Sequence, residues 1–424
     1  MDRRIEELVK ATKDKFGLEN YYLQRHSLAR DLNVLNETNY TFCMEWFPNH
    51  VTVEEEDDLN PDGTAVIEFD VTSRKYNSVS FVMGQTYAKN GVAFKNKDKN
   101  DIIKWIENET GLTYQKHFKL SKEEEGELCF QACYKEIAVA PAGYIKVTYN
   151  QEGKLISFSK FGLFPSNEIV EDANYTLSLE SVEPLAKDQL KLVEFPSFKE
   201  KKLISVYAIE EIYVMNDRSS TIPFDLHVEV GTQVNIDETI DWEEPIYNKR
   251  VERTEISMTE DITVEQAFSN EPSPLSLPIT ELEQKQCLTT VKNVLRQDFS
   301  SDTGKWKVET LHRDKGYIIA TLRANEQELR VFKRKLLIFI DANTLQPVNY
   351  IDNKLMLEEF DQFQASDPIK LTKEEAFEKV KEFIELKPYY VYDVGQKRYV
   401  LCGKLDCQMA VNSGNGDVIS LHDL

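Results

Sequence analysis

Residues 371–421, LTKEEAFEKVKEFIELKPYYVYDVGQKRYVLCGKLDCQMAVNSGNGDVISL, spell out one complete unit of structure, and the rest of the chain reads as looser versions of it. Thr372-Lys373-Glu374-Glu375 is a helix start: the threonine hydroxyl can accept from an amide of the first turn while the glutamate reaches back to the cap amide. Ala376, Phe377, Val380, Phe383 and Ile384 recur at three- and four-residue spacing and give one apolar stripe. Pro388 cannot continue a helix because it lacks an amide proton. Residues 389–394 and 398–402 then read as strands, followed by a run in which Leu405, Cys407, Met409 and Val411 alternate with polar or small residues, so one face is apolar. Ser413-Gly414-Asn415-Gly416-Asp417 supplies the glycines and asparagine that a reversal needs, and residues 418–421 return as a strand. The expected fold class is α+β, in tandem units of one amphipathic helix packed on a small antiparallel sheet.

Upstream, Ile5, Leu8, Val9 and Phe16 form a helical face stopped by Gly17. Residues 21–30 and 40–47 are predicted strands, the second with Tyr40, Phe42, Met44 and Trp46 on one side, and residues 65–71 and 78–83 a hairpin. A shorter helix over 101–110 turns Ile102, Trp105 and Ile106 inward and stops at Gly111. Residues 144–149 and 154–160 flank the turn at Asn150-Gly153. Ser178 or Ser181 caps a third helix, with Pro184 expected in its first turn. Residues 202–215 and 224–236 follow as long strands. Glu271-Pro272-Ser273-Pro274-Leu275-Ser276-Leu277-Pro278 has three prolines and no periodicity, which suits an extended connector. A second capping box, Thr280-Glu281-Leu282-Glu283, opens a helix striped with Cys287, Val291, Val294 and Asp298, and residues 306–313, 317–324 and 330–341 are strands. These signals divide the chain into units 1–95, 96–170, 171–248 (irregular), a linker region 249–278, and units 279–365 and 366–424. Thr280 and Thr372 lie 92 residues apart, too far for the repeat of a stacked solenoid.

A chain of 424 residues with 41% hydrophobic residues has core material for more than one domain. Its formal net charge of -22 repels phosphate backbones and anionic headgroups, so neither nucleic acid nor a membrane surface is an expected partner. Arg330, Lys333, Arg334 and Lys335 read as a solvated face. The acids in Met1-Asp2-Arg3-Arg4-Ile5-Glu6-Glu7 do not suit a signal peptide. The six cysteines are sparse and lack framework spacing. The expectation is a reducing, cytoplasmic location.

The run Tyr40-Thr41-Phe42-Cys43-Met44-Glu45-Trp46-Phe47-Pro48-Asn49, the run Asn60-Pro61-Asp62-Gly63-Thr64-Ala65-Val66-Ile67 and the repeated helix-then-sheet units resemble the YcdB/YcdC repeat family of Bacillus-type bacteria. That family is similar to the PepSY modules found in propeptides of secreted metallopeptidases. The resemblance covers nearly the whole chain, most weakly in the third unit. It implies PepSY-like folding and, by association, peptide binding or peptidase regulation, and it brings no catalytic residue with it.

No nucleophile elbow, phosphate-binding glycine loop or His-Glu-x-x-His is present in the sequence. Asp58, Asn60 and Asp62 match the first half of a calcium loop, but the closing position is Phe69 where a glutamate is needed. Asp225, His227 and Glu229 alternate along a predicted strand, a pattern that suits zinc or manganese and equally suits a solvated sheet face. Cys129 with Cys133, and Cys402 with Cys407, lack zinc-pair spacing, and Cys287 and Cys407 sit on apolar faces as core residues. The expected function is therefore a non-enzymatic binding or scaffold protein without a cofactor, taking a peptide or protein partner, with an exposed sheet edge as one means of doing so. The alternative is a metal-dependent hydrolase using Asp225, His227 and Glu229.

Overall fold

Asp2 opens the first helix, α1 (Arg3–Phe16), by accepting from the Arg4 amide at 2.8 Å, and Gly17 closes it in the left-handed conformation at φ 65°. A Cβ at Gly17 would stand 1.7 Å from the Lys89 carbonyl oxygen, so only glycine fits there. The computed structural model describes residues 1–33, 35–51, 59–224, 233–247, 250–325 and 329–424. Within them the chain is α+β, mostly sheet, with mainly antiparallel ladders and seven α-helices among the described residues. It divides into two compact units that are not consecutive in sequence.

The first unit comprises Met1–Asp172, Glu260–Ser276 and Tyr389–Val400. Its strands are β1 (Tyr21–Leu32), β2 (Thr38–Pro48), β3 (Ala65–Asp70), β4 (Lys75–Phe81), β5 (Phe118–Glu124), β6 (Glu127–Tyr134), β7 (Ile137–Ala140), β8 (Tyr144–Tyr149) and β9 (Leu155–Phe161), with α2 (Lys99–Thr110) between β4 and β5. They run β1-β2-β3-β4-β9-β8-β6-β7, with β5 on β6. Tyr389, Tyr390 and Val391 then lie parallel to Ala138, Val139 and Ala140. The expected face of β2 holds: Tyr40, Phe42, Met44 and Trp46 are buried. They share one core with Ile5 and Phe16 of α1 and Ile102, Ile103 and Ile106 of α2. Lys15 and Glu109 join the two helices at 2.7 Å.

The linker region expected over 249–278, with its extended connector at 271–278, is in part packed on this core. Thr263 and Gln266 form a capping box that starts a short helix, Val264–Ser269, and Ala267 enters the core. Pro274–Ser276 is a 3-10 turn, and Ser273 is buried, its amide donating to Thr38 Oγ1 at 2.8 Å. Prolines deny this stretch ladder hydrogen bonds, but side chains supply the partners instead.

The second unit comprises Ala173–Thr259, Leu277–Pro388 and Leu401–Leu424. It contains α3 (Leu179–Gln189), β10 (Leu190–Ser197), β11 (Lys202–Ile209), β12 (Ile212–Met215), β13 (Thr221–Pro223) and β14 (Val234–Ile240). After α4, the short helix just described, come α5 (Glu281–Asp298), β15 (Trp306–Asp314), β16 (Tyr317–Ala324), β17 (Lys335–Asp341), β18 (Pro347–Asp352), α6 (Lys354–Glu358) and α7 (Lys373–Val380). The chain's remaining strands are β19 (Glu385–Asp393) and β20 (Arg398–Asp406), of which residues 389–393 and 398–400 belong to the first unit, and β21 (Met409–Asn412) and β22 (Val418–Ser420) of the second. The five-stranded sheet β14-β15-β16-β17-β18 buries one face against Cys287, Val291, Val294 and Leu295 of α5. A four-stranded sheet runs β10-β11-β21-β22, and β12 pairs with residues 402–405 and with β13. Ala186 of α3 and Ala376, Phe377 and Val380 of α7 lie in one core with Leu190, Tyr207, Ile212, Leu405 and Val411.

Several expectations are corrected here. The terminal stretch does not close a sheet on itself: β21 pairs with β22 and also with β11, Val206 opposite Asn412, because a two-stranded hairpin alone is marginally stable in water. The stretch 202–215 is broken at Glu210-Glu211, where the chain leaves one sheet for another. α7 ends at Val380, followed by a 3-10 turn that leaves Phe383 exposed, and Pro388 lies within β19. Pro184 sits inside α3 rather than in its first turn, on the solvent side, because the Ser178–Ser181 capping box starts the helix earlier. Residues 330–333 precede β17, and Arg334 pairs with Asp352 at 2.8 Å over the ring of Trp306.

Candidate functional site

The residues nominated for metal binding are only partly placed. Asp225, His227 and Glu229, and also Asp58, lie outside the described residues. Asn60 accepts from the Arg25 guanidinium at 2.7 Å and Asp62 from Gln85 Nε2 at 3.4 Å, so both side chains are turned to partners within the protein. Phe69 is buried in β3. Among the described residues no three His, Cys, Asp or Glu side chains come close enough to hold a metal ion. All six cysteines are free, and burial pushes the Cys43 and Cys287 thiols up to about 11.

Two sheet edges of the second unit are met by the chain itself. The Glu194 amide of β10 donates to the Leu329 carbonyl at 2.7 Å and its carbonyl accepts from Val331. The Val348 carbonyl of β18 accepts from Thr254 at 2.9 Å. Strand addition is blocked at those positions, and one open concave surface of this unit lies along α5.

That helix is fixed by its ends and its buried face. Thr280 and Glu283 form the expected capping box. Burial raises the Glu283 carboxyl, but Arg313 at 2.6 Å and the cap hydrogen bonds outweigh it and hold it below the usual carboxylate range. Away from the core, Gln286, Thr289, Thr290, Asn293 and Gln297 fall within a sector of ~100° at 100° per residue, while Lys285, Lys292 and Arg296 project from another. The uncharged sector lines a groove of about 630 Å³, floored by Val294 and Leu345.

Each wall of the groove is pinned. On one side the Val251 amide donates to Asp298 Oδ1 at 3.2 Å, and Arg253 lies over the Tyr350 ring, with its Nε on Asn349 Oδ1 at 2.6 Å. On the other, the turn Thr344-Leu345-Gln346-Pro347 is held by Asp341, whose Oδ1 accepts from Asn343 and Thr344 amides and the Thr344 hydroxyl. Those bonds hold the Asp341 carboxyl below its ordinary value. Leu345 stands at φ 56°, and Thr290 Oγ1 donates to its carbonyl at 2.8 Å. Within the lining, the Gln286, Asn293 and Gln297 amides have no hydrogen-bond partner among the described residues. Sequence reading found the buried stripe of this helix and missed the neutral one. The available signal was the absence of charge at five positions of one sector in a chain that is 29% charged.

A second polar cluster sits where β11 gives way to β12. Lys404 of β20 pairs with Glu211 and, at 3.3 Å, with Asp406, and its ammonium lies 5.0 Å from the centre of the Phe224 ring. Burial, aided by the Asp406 carboxylate, raises the Glu211 carboxyl above its ordinary value, and Lys404 only partly offsets this. Glu211 and Asp406 thus share one ammonium, and Glu211 lines a cavity of about 340 Å³.

Among the described residues no helix is long and apolar enough to cross a membrane. No family model matches the chain, and no curated protein matches it. Among solved structures it is similar to the Bacillus megaterium YpeB C-terminal domain, over 83% of this chain and 97% of that one, at 8% identity and a TM-score of 0.25, a likeness too slight to carry an argument.

Proposed function

We propose that this chain is a non-enzymatic binding protein or scaffold whose partner is a peptide or an extended segment of a protein, built on PepSY-like units of the YcdB/YcdC repeat type. The observation that carries the reading is the groove along α5: a concave, amide-rich surface, uncharged along the helix, with pinned walls and side-chain amides that have no hydrogen-bond partner among the described residues. The N–H and C=O groups of a peptide main chain are neutral and can satisfy such groups. The repeated capping boxes at Thr280 and Thr372, each opening a helix that buries its apolar stripe on a sheet, support the unit type. A panel of blocked, fluorescently labelled extended peptides, titrated against the full chain at low and high salt, tests the function. Saturable binding that survives high salt is expected, since neutral contacts are not screened. A panel in which nothing binds would overturn the reading.

A further inference from the structure

We propose that the α5 groove holds its ligand by the main chain, in an extended conformation, with little regard to side-chain identity. This rests on the peptide-binding reading above and names how the site works. A carboxamide carries one acceptor and two donors, so one Asn or Gln can pair with both the N–H and the C=O of a peptide unit. Gln286, Asn293 and Gln297 supply three such groups along one helix sector, none with a partner among the described residues.

The spacing suits an extended chain. At 1.5 Å per residue, Asn293 and Gln297 stand ~6 Å apart along the axis. That is close to the ~6.7 Å between peptide groups facing the same way in a strand. From Gln286 to Gln297 the groove measures ~16 Å, room for about five extended residues. Thr289 and Thr290 are already committed to the Lys285 and Leu345 carbonyls, so they shape the groove rather than compete for the ligand. Arg250 and Glu252 are the charged residues of the lining, and they cancel. The lining has no aromatic ring on which a sugar face could stack, which favours peptide over carbohydrate.

The test uses the full chain and a blocked seven-residue peptide of alternating threonine and valine, labelled with fluorescein, beside the same peptide N-methylated at alternate residues. N-methylation removes the donors and leaves the side chains. Anisotropy titration should show the parent peptide binding and the methylated one at least tenfold weaker. Asn293→Leu and Gln297→Leu, both half-buried positions where leucine preserves volume, should each weaken the parent about tenfold. Asn293→Asp, which keeps shape and removes the donor, should do the same. If the methylated peptide binds as well as the parent, or the three variants bind as wild type, main-chain recognition at this groove is overturned while peptide binding stands. If neither peptide binds and the wider panel is also silent, the functional reading falls and takes this one with it.

Discussion

Arg30 offers the sharpest test of how the first unit is assembled. Its side chain is 4% exposed, on β1 opposite Tyr40. It pairs with Glu260 and, at 3.9 Å, with Glu271, both from the segment Glu260–Ser276, while the Tyr40 hydroxyl donates to the Glu271 carbonyl at 2.7 Å. Arg30→Ala removes two buried methylenes beyond Cβ, worth ~1.6 kcal/mol at ~0.8 kcal/mol each. It also removes a charge-assisted contact of ~1.5–3 kcal/mol. Because the Glu260 side chain is 38% exposed and can rehydrate, the second term is discounted to about 1–2 kcal/mol. The sum is about 3 kcal/mol, a rise of roughly a hundredfold in the open population of the segment if opening is local. Arg30→Met keeps the stem and loses only the second term, so its effect should be about a third to a half as large. Hydrogen exchange of residues 260–276, read by mass spectrometry, measures this directly. Unchanged exchange in the alanine variant, or equal effects of alanine and methionine, would refute the anchoring role.

Thr280→Ala should destabilise α5 by about 1 kcal/mol through loss of its cap, seen as faster exchange in its first turn. The Glu211 carboxyl, raised by burial, binds its proton more tightly folded than unfolded. Its favourable contribution is therefore complete below the ordinary glutamate pKa and is lost as pH rises through the raised folded value. Glu211→Gln should flatten that part of the stability profile and stabilise the protein near neutral pH; an unaltered pH profile in denaturant titrations would count against the cluster. Cys287 and Cys43, with thiols near 11, should be about a thousandth ionised at pH 8 and alkylate more slowly than Cys129, as site-resolved mass spectrometry would show.

Helices were legible in the sequence because each carries its own boundaries. Capping residues, glycine stops and a 3.6-residue stripe are local, so α1, α2, α5 and the start of α7 lie where periodicity puts them. Strand β2 was legible for a similar reason: alternation over Tyr40, Phe42, Met44 and Trp46 records a buried face. Pairing was legible where a short turn joins neighbours, as in β3 with β4 and β8 with β9, but not between strands distant in sequence. Nothing local in Val206 and Tyr207 says that they meet Asn412 and Val411, or that β14 crosses to β15, since a ladder is made of backbone groups common to every residue. The proline-rich stretch misled for a related reason: proline reports the absence of ladder bonds, and the Ser273–Thr38 contact that replaces them is distant in sequence.

The same logic explains why the groove escaped the sequence. Its walls come from residues 250–252, 286–297 and 344–347, and each is held by a short-range device that reads as ordinary: an aspartate at the end of a helix and an aspartate before a turn. Asp298 receives the Val251 amide and Asp341 receives two amides and a hydroxyl. A carboxylate so employed has fewer lone pairs left for a ligand, whereas Gln286, Asn293 and Gln297 of α5 are among the lining groups with capacity to spare. The proposed recognition is therefore divided: Asp298 and Asp341 fix the shape of the groove, and neutral amides would meet what enters it. If the proposed reading holds, the groove's affinity should vary little with salt even in a chain of net charge -22, because the contacts are between neutral groups and the two charges of the lining, Arg250 and Glu252, are of opposite sign.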